Sequence, residues 1–142
     1  IFGDGAESEV LEKKIGEYGL ENQVFLRGKT AHLYEEFPKY SIGTLTSDME
    51  GMPMFLLEAT AFSLPCVSFD VVTGPNEIIA DGQSGFLVKP FDTPLYARNL
   101  QHLMASQELR EEFSKRQRLV KENFSMQKIA PLWRRFLSEL TR

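Results

Sequence analysis

Two carboxylates, Glu50 and Glu58, stand eight positions apart on either side of a predicted helix start at Pro53. Between them lies the start of that helix with its free backbone amides. Carboxylates accept hydrogen bonds from hydroxyls, and unpaired amides at a helix start attract anions, so the arrangement suits a sugar nucleotide. From Gly51 through Phe69 the only charged side chain is Glu58. Met54, Phe55, Leu56, Leu57, Ala59, Ala61 and Phe62 point in all directions around the same helix, which is therefore expected to be largely buried. A buried, unpaired carboxylate is strongly disfavoured, so on this argument Glu58 must lie at a cleft where ligand hydroxyls donate to it. The alternatives are that Glu58 lies on a thin solvent stripe or pairs with a distant arginine. A Glu58 facing bulk water or an internal arginine, away from any open crevice, would defeat the donor-site reading built on it. Glu50 by itself reads as a carboxylate favouring the helix dipole, worth ~0.3–1 kcal/mol.

Three other loops lead into predicted helices: Gly3-Asp4-Gly5, Arg27-Gly28-Lys29-Thr30, and residues 70–76. In an open parallel sheet, ligands bind beyond the carboxyl ends of the strands, where such loops lie. Lys29 alone reads as a solvated lysine, and Gly3-Asp4-Gly5 alone as a turn. Cys66 reads as a small core residue, and a single cysteine excludes an internal disulfide framework. His32 and His102 fall on predicted helices without a metal-ligand spacing. Trp133, Phe136, Leu137 and Leu140 form the apolar face of the last helix, and the mixed charges from Arg110 to Arg118 form a solvated face. No amphipathic basic helix suggests a membrane surface.

The elements that must hold these residues alternate in type. Ile1-Phe2 reads as the end of a strand, with a further element expected upstream, and a helix follows over 6–18. Val24-Phe25-Leu26 is a short apolar run, 30–37 is helical until Pro38, and 42–46 is a strand. A helix over 54–62, a strand over 65–69, a short helix from Gly74 to about Ala80, an Asp81-Gly82 turn and a strand over 86–88 complete the alternation. Helices over 93–104, opened by Thr93-Pro94, over 106–122 and over 125–140 follow, the last bent at Pro131. Short apolar strands separated by helices imply a parallel sheet covered on both faces, a doubly wound Rossmann-like α/β domain with a helical tail. The 142 residues, 42% hydrophobic with 11 Phe, suffice for one such domain and argue against disorder. A net charge of −4 argues against nucleic acid as a partner, and no apolar run approaches the ~20 residues that cross a bilayer.

The segment Glu50-Gly51-Met52-Pro53-Met54-Phe55-Leu56-Leu57-Glu58-Ala59 resembles the E-x7-E segment of retaining glycosyltransferases of the GT-B fold, in the group 1 family also called family 4. Gly3-Asp4-Gly5, residues 24–28, 61–68 and 73–79, and Asp81-Gly82 with residues 85–88 stand in the order that family shows, so the resemblance is close over residues 1 to 90. It implies that the chain is the C-terminal, donor-binding domain, spanning 1–142 and truncated at its N-terminus. Glu50 would contact the donor sugar as the catalytic carboxylate. The amides of Gly51, Met52, Met54 and Phe55 would meet the sugar and distal phosphate, and Glu58 the ribose. Gly3, Gly5, Arg27, Gly28 and Lys29 would border the cleft, the last three near the nucleobase.

The implied reaction is retaining transfer from a UDP-hexose or UDP-N-acetylhexosamine to an acceptor hydroxyl in glycoconjugate or polysaccharide biosynthesis, without a metal or other cofactor. A glycan or lipid-linked acceptor would be held by an N-terminal domain outside these residues, and the diphosphate-binding Arg and Lys would precede Ile1, leaving the fragment inactive by itself. The resemblance places the enzyme in the cytoplasm, often at the inner face of the membrane as a peripheral protein. The competing readings are another GT-B enzyme, a UDP-N-acetylglucosamine 2-epimerase or a phosphorylase, and a non-catalytic doubly wound interaction module.

Overall fold

A computed structural model describes residues 1–140. Its central strand, β2 (Cys66–Phe69), is buried along its whole length, as a strand covered on both faces should be. It pairs in parallel with β1 (Gly43–Leu45) on one edge, Gly43 opposite Cys66. On the other edge it pairs in parallel with β3 (Gly85–Val88), Cys66 opposite Gly85. Parallel neighbours require crossovers. The crossover from β1 to β2 contains α3 (Met54–Ala61), and that from β2 to β3 contains α4 (Pro75–Ile78).

The two faces of β2 are filled differently. Val67 and Phe69 pack with Tyr96 and Leu103 of α5 (Thr93–Ala105) and Phe113 of α6 (Gln107–Asn123). The Tyr96 ring meets Phe69 edge-on with centroids 5.1 Å apart, and its hydroxyl donates to the Val67 carbonyl at 2.8 Å. On the opposite face Cys66 lies so close to β1 that only glycine fits at position 43: a Cβ there would stand 2.7 Å from the Cys66 Sγ and 3.2 Å from the Phe55 ring. The sheet is thus covered on both sides, in the Rossmann-like α/β arrangement that the alternation of elements predicts.

Helix α6 starts at the expected cap, Ser106, whose hydroxyl accepts from the Leu109 N–H at 3.1 Å. The cap of α5 is Asp92, whose Oδ1 accepts from the Leu95 N–H, so Thr93 is the first residue inside the helix. Helix α7 (Met126–Leu140) continues past Pro131, and every residue from there to its end is exposed. Its apolar side carries Leu132, Trp133, Phe136, Leu137 and Leu140, while Lys128, Arg134 and Arg135 take polar positions. The apolar face read from the sequence is thus present, and the basic residues on the other side make this an amphipathic helix with basic residues, which the sequence reading did not expect.

Residues 1–36 form a unit of their own and the remainder a second. In the first, α1 (Ser8–Glu17) ends in a Schellman-type closure, with Leu20 N donating to the Ile15 carbonyl and Gly19 N to that of Gly16. The strand end expected at Ile1-Phe2 is not a regular strand, and neither is the apolar run Val24–Leu26. The two segments nonetheless exchange backbone bonds: Ile1 N to Phe25 O at 2.7 Å, Arg27 N to Ile1 O at 2.8 Å, and Gly3 N to Gly28 O at 2.9 Å. The predicted helix over 30–37 shortens to α2 (Leu33–Glu36), and Pro38 sits inside a 3-10 turn over Phe37–Lys39.

Candidate functional site

The loops after β1 and β2 leave adjacent strands at the carboxyl edge of the sheet, and they touch. The first, residues 46–53, carries Glu50, Gly51 and Met52 into α3. The second, residues 70–74, brings the Thr73 hydroxyl within 2.8 Å of the Glu50 carbonyl, to which it donates. Gly74 follows with φ +95°. A side chain at Gly74 would collide with the Gly51 carbonyl and the Pro53 ring, so glycine is what lets the two loops close on each other.

At the start of α3, Pro53 occupies the cap position, and no side chain caps the helix. The amides of Met54 and Phe55 are thus left for an external acceptor. Phe55 offers only its backbone, because its ring is turned inward, 5.9 Å from Phe37. Met49, Met52, Met54 and Val72 are exposed apolar side chains around the same loops. Glu50 is half-buried. No lysine or arginine occurs between Lys39 and Lys89, so the positive potential of this stretch comes from helix-terminal amides.

Glu58 is not where the burial argument put it. It is exposed and, among the described residues, its carboxylate has neither an ion pair nor a hydrogen bond. It shares an outer stripe of α3 with Met54 and Ala61, whereas Leu56, Ala59 and Thr60 face inward. The solvent stripe is the arrangement adopted. An apolar residue is not obliged to be buried, so a helix apolar on all sides does not imply a desolvated carboxylate. The desolvation argument for a ligand at Glu58 therefore falls, and its assignment rests on the E-x7-E resemblance.

Within the first unit the remaining candidates come together. Gly3 and Gly28 are joined by the backbone bond between them, the Lys29 ammonium stands 3.6 Å from the Asp4 carboxylate beside Gly5, and the Arg27 guanidinium lies 5.1 Å above the Phe25 ring. Both partners of the Lys29–Asp4 pair are exposed, so the pair adds little stability.

Two titratable groups are buried against the sheet. Burial pushes the Cys66 thiol up from 9.0 to about 12, which keeps it protonated and inert, as its reading as a core residue implies. Burial also raises the Tyr96 hydroxyl from 10.0 to about 12. Among the described residues, no three His, Cys, Asp or Glu side chains are grouped as metal ligands. The sequence reading missed Thr73. Its visible signal is a β-branched residue directly before Gly-Pro, but its partner, a carbonyl 23 residues away, appears only in the fold.

Residues 1–120 match the family described as "Glycosyl transferases group 1". Two curated proteins match the chain at similar levels. An exopolysaccharide phosphotransferase of Streptomyces coelicolor is 36% identical over 99% of the chain and 15% of its own length. The amylovoran biosynthesis glycosyltransferase AmsD of Erwinia amylovora is 37% identical over 80% of the chain and 32% of its own length. Among solved structures, the pneumococcal O-GlcNAc transferase GtfA, crystallised with UDP and GlcNAc, superposes with a TM-score of 0.88 at 27% identity, covering 100% of the chain and 29% of GtfA. The chain belongs to the group 1 glycosyltransferases. It spans less than a third of the length of each of these relatives.

Proposed function

We propose that residues 1–142 are the donor-binding domain of a retaining glycosyltransferase, holding a UDP-hexose or UDP-N-acetylhexosamine for transfer to an acceptor hydroxyl in glycoconjugate or polysaccharide biosynthesis. The observation that carries this reading is the uncapped start of α3, beyond the carboxyl end of β1 and directly behind Glu50. Glu50 meets the donor sugar; the amides of Gly51, Met52, Met54 and Phe55 meet the sugar and distal phosphate; Glu58 accepts from the ribose hydroxyls.

Exposure of Glu58 is compatible with that role, because a carboxylate that must receive a ligand's hydroxyls has to be reachable from solvent. GtfA, crystallised with UDP and GlcNAc, supports the choice of donor. The phosphotransferase name carries less weight, since 85% of that protein has no counterpart here. Charge on the departing diphosphate is met by α3 amides together with cations from outside residues 40–88, oriented before reaction. No metal is required. The resemblance assigns both the diphosphate-binding Arg and Lys and the acceptor site to protein outside these residues, so the 142 residues bind UDP weakly and do not catalyse transfer.

Calorimetry with UDP, GDP and ADP tests the reading. UDP is expected to bind in preference to the others, with or without a chelator, and Glu58→Ala to weaken it by about tenfold, the lower range for a hydrogen bond to a charged group. Equal affinity of wild type and Glu58→Ala for UDP favours the non-catalytic interaction module instead.

A further inference from the structure

The backbone at the candidate site contains a contact that the family resemblance does not account for. Thr73 has φ +72°, in the left-handed region that β-branched residues enter rarely and at a cost. Gly74 beside it is also left-handed. A chain needing only a tight turn here would be served better by glycine at position 73. What threonine adds is its hydroxyl, donated at 2.8 Å to the Glu50 carbonyl.

That carbonyl belongs to the peptide joining Glu50 to Gly51. The peptide is planar and trans, so its C=O and N–H point in opposite directions. Fixing the carbonyl against Thr73 therefore turns the Gly51 N–H away from Thr73. Gly51 is exposed, no atom lies within 4 Å of where its Cβ would be, and among the described residues no backbone carbonyl accepts from its N–H. Without a tether, such a glycine peptide can rotate as a unit and lose the direction of its donor.

We infer that Thr73 is a positioning residue: its hydroxyl locks the Glu50–Gly51 peptide so that the Gly51 N–H is already directed at the anionic end of the nucleotide. This rests on the donor-site reading above and adds the residue that orients one of its donors. The strain at Thr73 is maintained by Gly74, whose closeness to Gly51 and Pro53 keeps the second loop pressed on the first.

The test compares Thr73→Val, which keeps the shape and deletes the hydroxyl, Thr73→Gly, which deletes the hydroxyl and relieves the φ strain, and Thr73→Ser, which keeps the hydroxyl. In the free chain, the 15N order parameter of the Gly51 amide is expected near ~0.85 in wild type and Thr73→Ser and below ~0.6 in Thr73→Val and Thr73→Gly. By calorimetry, Thr73→Val and Thr73→Gly are expected to bind UDP about fivefold more weakly, with Thr73→Ser close to wild type. A Gly51 amide as rigid in both hydroxyl-less variants as in wild type overturns the inference, and so does a Thr73→Ser variant as impaired as Thr73→Val. Failure of the unaltered chain to bind UDP overturns the donor-site reading; the order parameters, measured without nucleotide, judge the peptide lock separately. Should Thr73→Val not fold, Thr73→Gly decides.

Discussion

Helices α3 and α7 are both rich in large apolar residues, and they use them in opposite ways. The apolar residues of α3 show no sidedness, yet the helix sorts itself: Leu56, Ala59 and Thr60 go inward while Met54, Glu58 and Ala61 stay in solvent. In α7 they are sharply segregated to one side, yet the helix buries none of its residues. Sequence pattern tells which face of a helix gains most from burial, not whether this stretch of chain supplies something to bury it. The neighbours decide. Helix α3 sits between the sheet and α6, whereas α7 beyond Pro131 has water around its apolar side.

The largest test of this contrast is a pair of truncations. Leu56→Ala in α3 is expected to cost ~2–5 kcal/mol, because it opens a cavity at a fully buried position. Trp133→Ala in α7 removes a larger side chain but is expected to change stability by less than ~0.5 kcal/mol, since Trp133 is 59% exposed. Urea denaturation of both variants measures this, and a comparable loss for Trp133→Ala would break the contrast.

A second test uses the two faces of β2. Cys66 on the α3 side and Tyr96 on the α5 side are acids whose folded values, both about 12, lie above their ordinary 9.0 and 10.0. Between about pH 9 and 12 the native state holds protons that the unfolded state has released, so stability falls as pH rises through that window and is unaffected by these groups below it. Denaturation midpoints measured at about pH 8 and 11 should show the decline, and Tyr96→Phe and Cys66→Ala should each reduce it. A decline unchanged in both variants would count against the burial of these groups.

The smallest expected effect is the most pointed. Glu58→Leu places an apolar side chain at the outer stripe of α3 and should leave the melting temperature almost unchanged, within the ±0.5 kcal/mol usual for surface substitutions. A marked gain in stability would restore the desolvated carboxylate that the sequence pattern suggested.

Much of the fold was legible because its signals are local. The apolar run before Asp70, the Asp81-Gly82 turn and the Ser106 cap each settle their own neighbourhood, and all appear close to where they were expected. Asp92 was missed as a cap because Thr93 beside it is an equally acceptable cap residue. Ile1-Phe2 and residues 24–26 were legible as two apolar runs but their pairing was not, and the bonds shift along the chain at Gly3 so that a regular ladder does not form. At the candidate site the E-x7-E segment could be seen in the sequence, whereas Thr73 could not. Its role depends on a left-handed φ and on a loop from the neighbouring strand, and neither leaves a periodic trace.

Helix α6 is fastened at two points one turn apart. Gln117 donates to the Ser84 carbonyl at 2.8 Å, and Lys121 donates to the Ala61 carbonyl at 2.9 Å. One grips the approach to β3, the other the final turn of α3. These stretches are distant in sequence, so α6 works as a splint across the second crossover. Peeling it away would release the entrance to β3 and the exit from α3 in the same event, which makes the two neighbourhoods open and close as one cooperative unit.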